Sequence, residues 1–133
     1  DAGSPHVVIF VENPSAAPLE RWGPAIRRHT AVGAAGVNVD VVGWRGPDVL
    51  ALRTWERGVE GETLACGSGA VAAAFAARLR GAGSHVTVVP ASGVALEVEL
   101  PGTPEAPEAA VLRGDARFVF EGDLGDEATS GYI

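Results

Sequence analysis

The only cysteine of the chain, Cys66, is followed directly by Gly67, Ser68 and Gly69 and then by eight apolar residues without a break. An apolar run of this kind predicts a helix that begins here, with the thiol at its N-terminus. Unpaired backbone N–H groups and the positive end of the helix dipole meet at such a terminus and favour anions. A thiol placed there loses its proton more readily than a free one, so we expect thiolate at neutral pH.

Glycines on either side of Ser68 leave this helix terminus without bulky side chains. We therefore expect a carboxylate to bind on the backbone amides of Gly67, Ser68 and Gly69, within reach of the Cys66 sulfur. The chemistry that this arrangement predicts is removal of a proton next to a carboxylate.

Two other interpretations of the same residues stay open on position alone. Cys66 is also a residue type that a strand–helix junction buries as a small hydrophobe. Residues 67–72 match the G-x-G-x-x-A pattern of a dinucleotide-binding turn. That match is weak, because residues 60–62 break any long strand before it and no acidic residue follows about 20 positions later.

Length and composition narrow the class of protein. The 133 residues, 47% of them hydrophobic, predict one folded domain over 1–133. A net charge of -7 argues against nucleic acid or a membrane surface as the partner. The chain contains no lysine, which excludes a pyridoxal-phosphate or other imine-forming enzyme, because those need a lysine for the Schiff base. It also contains no methionine, so we expect Asp1 to lie inside a longer protein.

The single cysteine cannot form an intrachain disulfide, and the sequence contains neither a signal segment nor an apolar span of membrane length. These observations predict a cytoplasmic protein.

The elements that position the thiol are mostly strands. A short apolar run predicts a largely buried strand within 6–13, and alternating apolar and polar residues predict strands within 36–44 and 49–58. The second and third of these are expected to form a hairpin with its turn at 45–48. Three more strands are predicted within 84–90, 93–100 and 116–122. A proline-rich loop is expected at 101–107, and the acidic tail, 123–133, is expected to fray.

Two helical segments are predicted among these strands. Residues 18–29 offer one or two helical turns, interrupted at Gly23 and Pro24. Residues 68–80 form a longer helix that is apolar on every face and must therefore be enclosed on all sides. Arg78 and Arg80 are expected to mark its solvent end, and Gly81 and Gly83 to terminate it. The fold class predicted is α/β, with a mixed, mostly antiparallel sheet curved around one central apolar helix.

The segment ERGVEGETLACGSGA, residues 56–70, resembles the signature of the C-terminal half of diaminopimelate epimerases. Three further segments are similar to that family in the same order and spacing: GSPHVVIFVEN at 3–13, GPAIRRH at 23–29 and GVNVDVV at 36–42. The resemblance covers most of the chain and identifies it with the C-terminal domain of that family. The N-terminal domain, with its own cysteine, is absent from this sequence.

The resemblance implies an epimerase that needs no cofactor and no metal and inverts the α-carbon of diaminopimelate, for lysine and cell-wall synthesis. Two cysteines of the family face each other across a cleft between two halves, one removing a proton and the other delivering one. Carried over to this chain, the catalytic residues implied are Cys66, Glu56 and His6. The substrate-binding residues implied are Ser4, Asn38, Glu56, Arg57, Gly67 and Ser68. The partners implied are a small amino-acid substrate and an N-terminal half, in the same or a separate chain, and a homodimer is a further expectation.

Three departures from the family pattern bear on these expectations. Ser4 stands where the family has asparagine, which puts recognition of the distal end of the substrate in doubt, whereas Ser68 in place of threonine keeps the hydroxyl. The spacer between Glu56 and Glu62 is one residue longer than the shortest family form. We expect the chain alone not to epimerise. The alternatives are a racemase or isomerase of the same fold with another substrate, and a non-catalytic anion-binding module.

Overall fold

The computed structural model of the chain describes residues 3–106 and 108–129. Its regular elements, in chain order, are β1 (His6–Phe10), α1 (Leu19–Arg27), β2 (Asn38–Gly46), β3 (Val49–Glu56), β4 (Gly61–Thr63), α2 (Gly67–Arg78), β5 (His85–Val89), β6 (Leu96–Glu99), β7 (Val111–Arg113) and α3 (Asp126–Thr129). No helix within these residues is long and apolar enough to cross a bilayer. A cytoplasmic location stays a prediction.

All seven strands of the described residues belong to one open sheet with the order β1-β2-β3-β5-β6-β7, and β4 pairs with β3 beside this path. The β1–β2 and β3–β5 pairs are parallel. The remaining pairs are antiparallel. The prediction of an α/β protein with a mixed, mostly antiparallel sheet is therefore confirmed.

The predicted hairpin is formed by β2 and β3, which pair from Val39 opposite Trp55 to Gly46 opposite Val49. Successive side chains of a strand point to opposite faces of the sheet. Val39 and Val41 accordingly pack in the apolar cluster with α1, whereas Val42 packs in the cluster with α2. The sheet thus separates two helices, one on each face.

Helix α1 runs without a break through Gly23 and Pro24, so the predicted interruption is wrong. Leu19, Gly23 and Ile26 recur at helical spacing on the face that meets the sheet. The backbone of Gly23 approaches the Trp55 ring so closely that a β-carbon there would lie 2.4 Å from ring atoms. Packing of this amphipathic face therefore outweighs the one backbone hydrogen bond that a proline removes from the helix.

Helix α2 begins one residue before the predicted start and ends two residues before the predicted end. Ala70, Ala73, Ala74 and Ala77 are completely buried against the sheet. Their small side chains let the helix lie close to the strands. Val71, Ala72, Phe75 and Ala76 on the other side are only half-buried. The described residues thus cover one side of α2, and its enclosure on all sides stays a prediction.

Gly81 ends α2 as predicted. It adopts a φ of 103°, and the N–H groups of Ala82 and Gly81 donate to the carbonyls of Ala77 and Arg78, both at 3.1 Å. Of the two arginines predicted to reach solvent at the end of α2, only Arg80 does so. Arg80 is exposed, but Arg78 is buried and donates to the carbonyls of Leu100 and Gly102. The prediction that Arg78 reaches solvent is wrong, because these two carbonyls hold its guanidinium inside the fold.

The last predicted strand, 116–122, is absent, and the strand at this end of the described chain is β7. β7 pairs with β6 from Val111 opposite Glu99 to Arg113 opposite Glu97 and so occupies the free edge of β6. Residues 116–122 pair with neither open edge of the sheet, β1 or β7, so their N–H and C=O groups have no partner strand among the described residues. Phe118 and Phe120 are consequently 83% and 81% exposed.

The ends of the proline-rich loop and of the tail lie partly outside the described residues. Residues 101–106 form a loop as predicted, and residue 107 is not described. The tail contains one helical turn, α3, and residues 130–133 lie outside the described residues, so fraying of the tail stays a prediction.

Candidate active site

The N-terminus of α2 lies beside the starts of β1 and β2, and polar side chains from all three elements meet there. Ser4 and His6 come from the start of β1, Asn38 begins β2, and Cys66 and Ser68 belong to the first turn of α2. Five of the residues predicted for the site are thus brought into one hydrogen-bonded cluster.

Cys66 is the N-cap residue of α2 and has an extended backbone with a φ of -134°. Its sulfur accepts a hydrogen bond from the Gly69 N–H at 3.4 Å, so the thiol satisfies one of the unpaired donors of the helix. The same sulfur lies 3.5 Å from Oγ of Ser68. Cys66 is only 5% exposed, yet its sulfur sits in polar surroundings, unlike a cysteine buried simply as a small hydrophobe.

His6 is the central residue of the cluster. Its ring nitrogen Nδ1 lies 2.7 Å from Oδ2 of Asp40, and the exposed fractions of the two side chains are 3% and 0%. The second nitrogen, Nε2, lies 3.0 Å from Oγ of Ser4 and 3.0 Å from Oγ of Ser68. The imidazole therefore bridges a buried carboxylate and the hydroxyls at the helix terminus.

The orientation of the Asn38 amide follows from its partners. The backbone N–H of Arg57 donates to Oδ1 of Asn38 at 2.7 Å, which identifies that atom as the oxygen. The amide nitrogen then lies 3.2 Å from Oγ of Ser4 and 3.2 Å from Nε2 of His6. Asn38 consequently connects the loop after β3 to the cluster on β1.

Asp40 and Thr54 are two site residues that sequence reasoning missed. They face each other across the β2–β3 pair, and Oγ1 of Thr54 donates to Oδ1 of Asp40 at 2.7 Å. Both side chains are buried. The available signal was an acidic residue inside the valine run of β2, since a carboxylate is rarely buried without a specific partner.

This pair also corrects the prediction for Gly69. A β-carbon on Gly69 would lie 2.8 Å from Oδ1 of Asp40 and 3.1 Å from Oγ1 of Thr54. The missing side chain therefore makes room for the Asp40–Thr54 pair rather than for a ligand. A β-carbon on Gly67 would lie 3.0 Å from Cδ2 of Leu112, a residue of β7. Strand β7 therefore covers part of the helix terminus.

Glu56 and Arg57 lie at the end of β3, next to the cluster. Glu56 is the last residue of the strand and pairs with Gly61 of β4, and its side chain is half-buried. Arg57 joins the cluster through its backbone N–H, while its Nη1 lies 3.4 Å from the carbonyl oxygen of Ala35. In the described part of the chain the two side chains form no ion pair with each other.

The turn that follows Arg57 is held by Glu60. The N–H of Gly58, 3.3 Å from Oε1, and the guanidinium of Arg27 hold the pKa of the Glu60 carboxyl below its ordinary value. Arg28 adds a second ion pair at 3.3 Å. This carboxylate therefore fastens the turn after the predicted substrate residues to the end of α1.

A cavity of about 1070 Å³ extends from the cluster along the uncovered side of α2. Ser4 and His6 line one end, and Val71, Phe75 and Leu79 line the remaining length. The cavity is thus polar where it meets Ser4 and His6 and at Glu108, and it is apolar along α2.

The remaining histidines lie away from the cluster. Nδ1 of His29 accepts the N–H of Ala31, and His85 faces Glu99 at 3.5 Å. Across residues 3–106 and 108–129, no group of three or more His, Cys, Asp and Glu side chains could hold a metal ion. The dinucleotide interpretation is not supported, because β4, which leads into α2, has three residues and runs antiparallel to β3.

Comparison with known proteins gives a family match over nearly the whole chain. The family model for diaminopimelate epimerase matches residues 1–119. The diaminopimelate epimerase of Gemmatimonas aurantiaca matches 92% of this chain with 46% identical residues, and the match covers 47% of that protein. The diaminopimelate epimerase of Methanocella arvoryzae matches 93% of the chain with 39% identical residues, and the match covers 42% of that protein. The chain therefore spans about half the length of these relatives.

Proposed function

The chain belongs to the diaminopimelate epimerase family, and we propose that it forms one half of the active site of an enzyme that interconverts LL- and meso-diaminopimelate. The observation that carries this proposal is the thiol of Cys66 capping α2 while its neighbour Ser68 contacts His6. The names of the relatives support the reaction, and the geometry supports the part assigned to this chain.

Cys66 acts in this proposal as one of two acid–base groups. Its thiolate removes the α-proton from one face of the substrate, or its thiol returns a proton to that face. Inversion needs a second group on the opposite face, and this chain has no second cysteine. The second thiol then comes from an N-terminal half, in agreement with a chain that covers 47% of one relative.

The substrate carboxylate lies on the N-terminus of α2 in the same proposal. The first helical N–H groups, those of Gly67 and Ser68, have no partner within a helix and can donate to it. Loss of the α-proton places negative charge on the carboxylate, and a helix terminus already oriented towards it stabilises that charge. Proton transfer in this site thus proceeds through residues of the protein itself.

The distal end of the substrate is assigned to residues on the other side of the cluster. Asn38 and Ser4 face the site from β2 and β1, and Glu56 and Arg57 follow at the end of β3. Arg57 and Glu56 supply opposite charges for a substrate whose distal end is itself an amino acid. The hydrogen bond from the Arg57 N–H to Asn38 supports treating these residues as one unit.

The uncovered side of α2 is assigned to the contact with the N-terminal half. Val71, Phe75 and Leu79 border the cavity there, and Phe118 and Phe120 extend exposed from the end of the sheet. Exposed apolar side chains on this scale favour a protein interface. In the two-half enzyme α2 then becomes the enclosed central helix that its sequence predicts.

A second function of the same fold has one observation in its favour. Ser4 stands where the family pattern has asparagine, and its hydroxyl sits in the centre of the cluster, 3.0 Å from Nε2 of His6. A shorter side chain at this position changes the space for the substrate. A racemase or isomerase acting on another amino acid is therefore the alternative.

The proposal is tested by proton NMR of LL-diaminopimelate in D₂O, following loss of the α-proton signal. We expect no exchange with the pure chain and exchange on adding the separately produced N-terminal half of the Gemmatimonas aurantiaca relative. The Cys66→Ala variant in the same mixture is the control and should show no exchange. Exchange of a different amino acid by the mixture would favour the alternative function, and a folded mixture that exchanges no amino acid would favour a non-catalytic module.

A further inference from the structure

Asp40 is a buried carboxylate inside the valine run of β2. It is 0% exposed, and its neighbours along the strand are Val39, Val41 and Val42. Burying a charged group is costly unless its partners compensate for the lost water. In the described part of the chain its partners are Nδ1 of His6 and Oγ1 of Thr54, both at 2.7 Å, and no arginine pairs with it.

These two contacts assign the proton on the His6 ring. A carboxylate only accepts hydrogen bonds, so the nitrogen that faces it, Nδ1, carries the hydrogen. In the neutral ring Nε2 is then an acceptor with a free lone pair.

The surroundings of Nε2 agree with this assignment. The Asn38 amide, fixed by the Arg57 N–H, presents its NH₂ group to Nε2 at 3.2 Å. If Nε2 carried the hydrogen, its N–H group and the Asn38 NH₂ group would be two donors facing each other with no acceptor between them. The hydroxyl of Ser68, 3.0 Å away, can donate to the lone pair, while the Ser4 hydroxyl donates to Oγ of Ser68 at 3.3 Å.

We propose that Asp40 is a positioning residue that holds His6 in the Nδ1–H form, with the lone pair of Nε2 directed through the Ser68 hydroxyl at the thiol of Cys66. The role in catalysis rests on the proposed function, whereas the ring tautomer does not. Asp40 does not touch the substrate in this proposal and acts through His6.

The hydrogen-bond chain gives the thiol a route for its proton. The S–H bond of Cys66 breaks as its proton passes to Oγ of Ser68, 3.5 Å away, while the hydroxyl proton of Ser68 passes to Nε2 of His6. The products are a thiolate and an imidazolium, so the total charge is unchanged. Asp40 stabilises the imidazolium because it already faces Nδ1.

The test is ¹⁵N NMR of the chain labelled at histidine, at a pH where His6 is neutral. The ring nitrogens report directly which of them carries hydrogen. We expect Nδ1–H for His6 in the natural chain. A natural chain with hydrogen on Nε2 would overturn the proposal without any variant.

Variants at Asp40 separate positioning from stability. In Asp40→Ala nothing holds the hydrogen on Nδ1, and the ring should shift towards the Nε2–H form of free histidine, with Oγ of Ser68 accepting from Nε2 and the Asn38 NH₂ group donating to Oγ of Ser4 alone. Asp40→Asn keeps the shape, but its Oδ1 can still accept from Thr54 while its NH₂ group faces Nδ1, so this variant should also shift the ring towards the Nε2–H form. Val41→Ala truncates the next residue of β2, on the face away from His6, and should lower stability but leave the ring unchanged. If folded Asp40→Ala keeps the Nδ1–H form, Asp40 does not set it and the proposal is wrong.

Activity of the two-half enzyme supplies a second measurement. We expect Asp40→Ala to lower kcat about 10- to 100-fold, as for other residues that orient a functional side chain, with KM changed less than about two-fold. Val41→Ala should keep kcat. An unchanged kcat in Asp40→Ala would refute the positioning role. Absence of epimerisation by the natural assembly, with the expected tautomer in place, would refute the proposed function alone.

Discussion

The α-carbon of Gly69 lies so close to Asp40 that a β-carbon there would be 2.8 Å from the carboxylate oxygen Oδ1. Gly69→Ala must therefore displace the Asp40–Thr54 pair or the helix terminus. We expect a loss of about 1–3 kcal/mol in the free energy of unfolding, measured by urea denaturation, although alanine is the better helix former. Gly61→Ala, where a β-carbon would meet no atom within 4 Å, is the control and should change stability by less than about 0.5 kcal/mol. Equal effects of the two changes would contradict this account of Gly69.

The Cys66 sulfur has two separable roles, as a helix cap and as a thiol. Cys66→Ser keeps an acceptor for the Gly69 N–H and should leave the thermal unfolding temperature unchanged or raised, because serine is a favoured N-cap residue. Cys66→Ala removes the acceptor and should cost about 1 kcal/mol. Both should abolish epimerisation by the two-half enzyme. A Cys66→Ser variant with substantial activity would show that the thiol is not the acid–base group.

Arg78 and Arg80 stand two residues apart but should differ sharply in their effect on stability. Arg78→Ala leaves the Leu100 and Gly102 carbonyls without a buried donor and should cost about 1–3 kcal/mol in urea unfolding. Arg80→Ala removes an exposed guanidinium that lies 4.3 Å above the Phe10 ring, an interaction of about 0.5–1 kcal/mol. A larger loss for Arg80→Ala than for Arg78→Ala would contradict the burial of Arg78.

Glu60 should make stability depend on pH. Because the Gly58 N–H and Arg27 hold its pKa below the ordinary value, its stabilising effect is complete above the unfolded pKa of about 4.3 and is lost as the pH falls through the lower folded pKa. Glu60→Gln should therefore be less stable than the natural chain at pH 7. The difference in stability between the two chains should shrink as the pH is lowered below 4. Urea unfolding of both chains at pH 7 and below pH 4 measures it. Glu12→Gln, at an exposed position, is the control and should show a smaller difference; a Glu60→Gln difference that grew in acid would contradict the prediction.

The local sequence pattern was sufficient to predict the β2–β3 hairpin and helix α2. The alternation in β2 and β3, with turn residues between them, predicted the hairpin, and the apolar run after Gly69 predicted α2. The same run predicted Cys66 at the N-terminus of the helix, and its capping position follows from the observed start at Gly67, one residue before the predicted start.

Contacts distant in sequence account for what was missed. The pairing of His6 with Asp40 depends on a parallel β1–β2 register that no local pattern specifies. The local sequence predicts an interruption at Pro24, because it does not show that Gly23 packs on Trp55, a residue distant in sequence. Segment 116–122 has the alternation of a strand, but a strand also needs a partner, and no local pattern specifies that β7 rather than this segment pairs with β6.

Strand β1 forms one edge of the sheet within the described residues, and its five residues pair with β2 alone. Every one of them is only half-buried. Edge elements with few buried contacts open locally at a lower free energy than the core, and their amide hydrogens exchange first. β1 carries His6, whereas Cys66 is anchored to α2, so opening of this strand removes the imidazole from the thiol while the rest of the protein stays folded. Unfolding of the whole chain and local opening of the site are therefore different equilibria, and amide exchange at Val7 and Ile9, whose N–H groups point towards β2, measures the second of them.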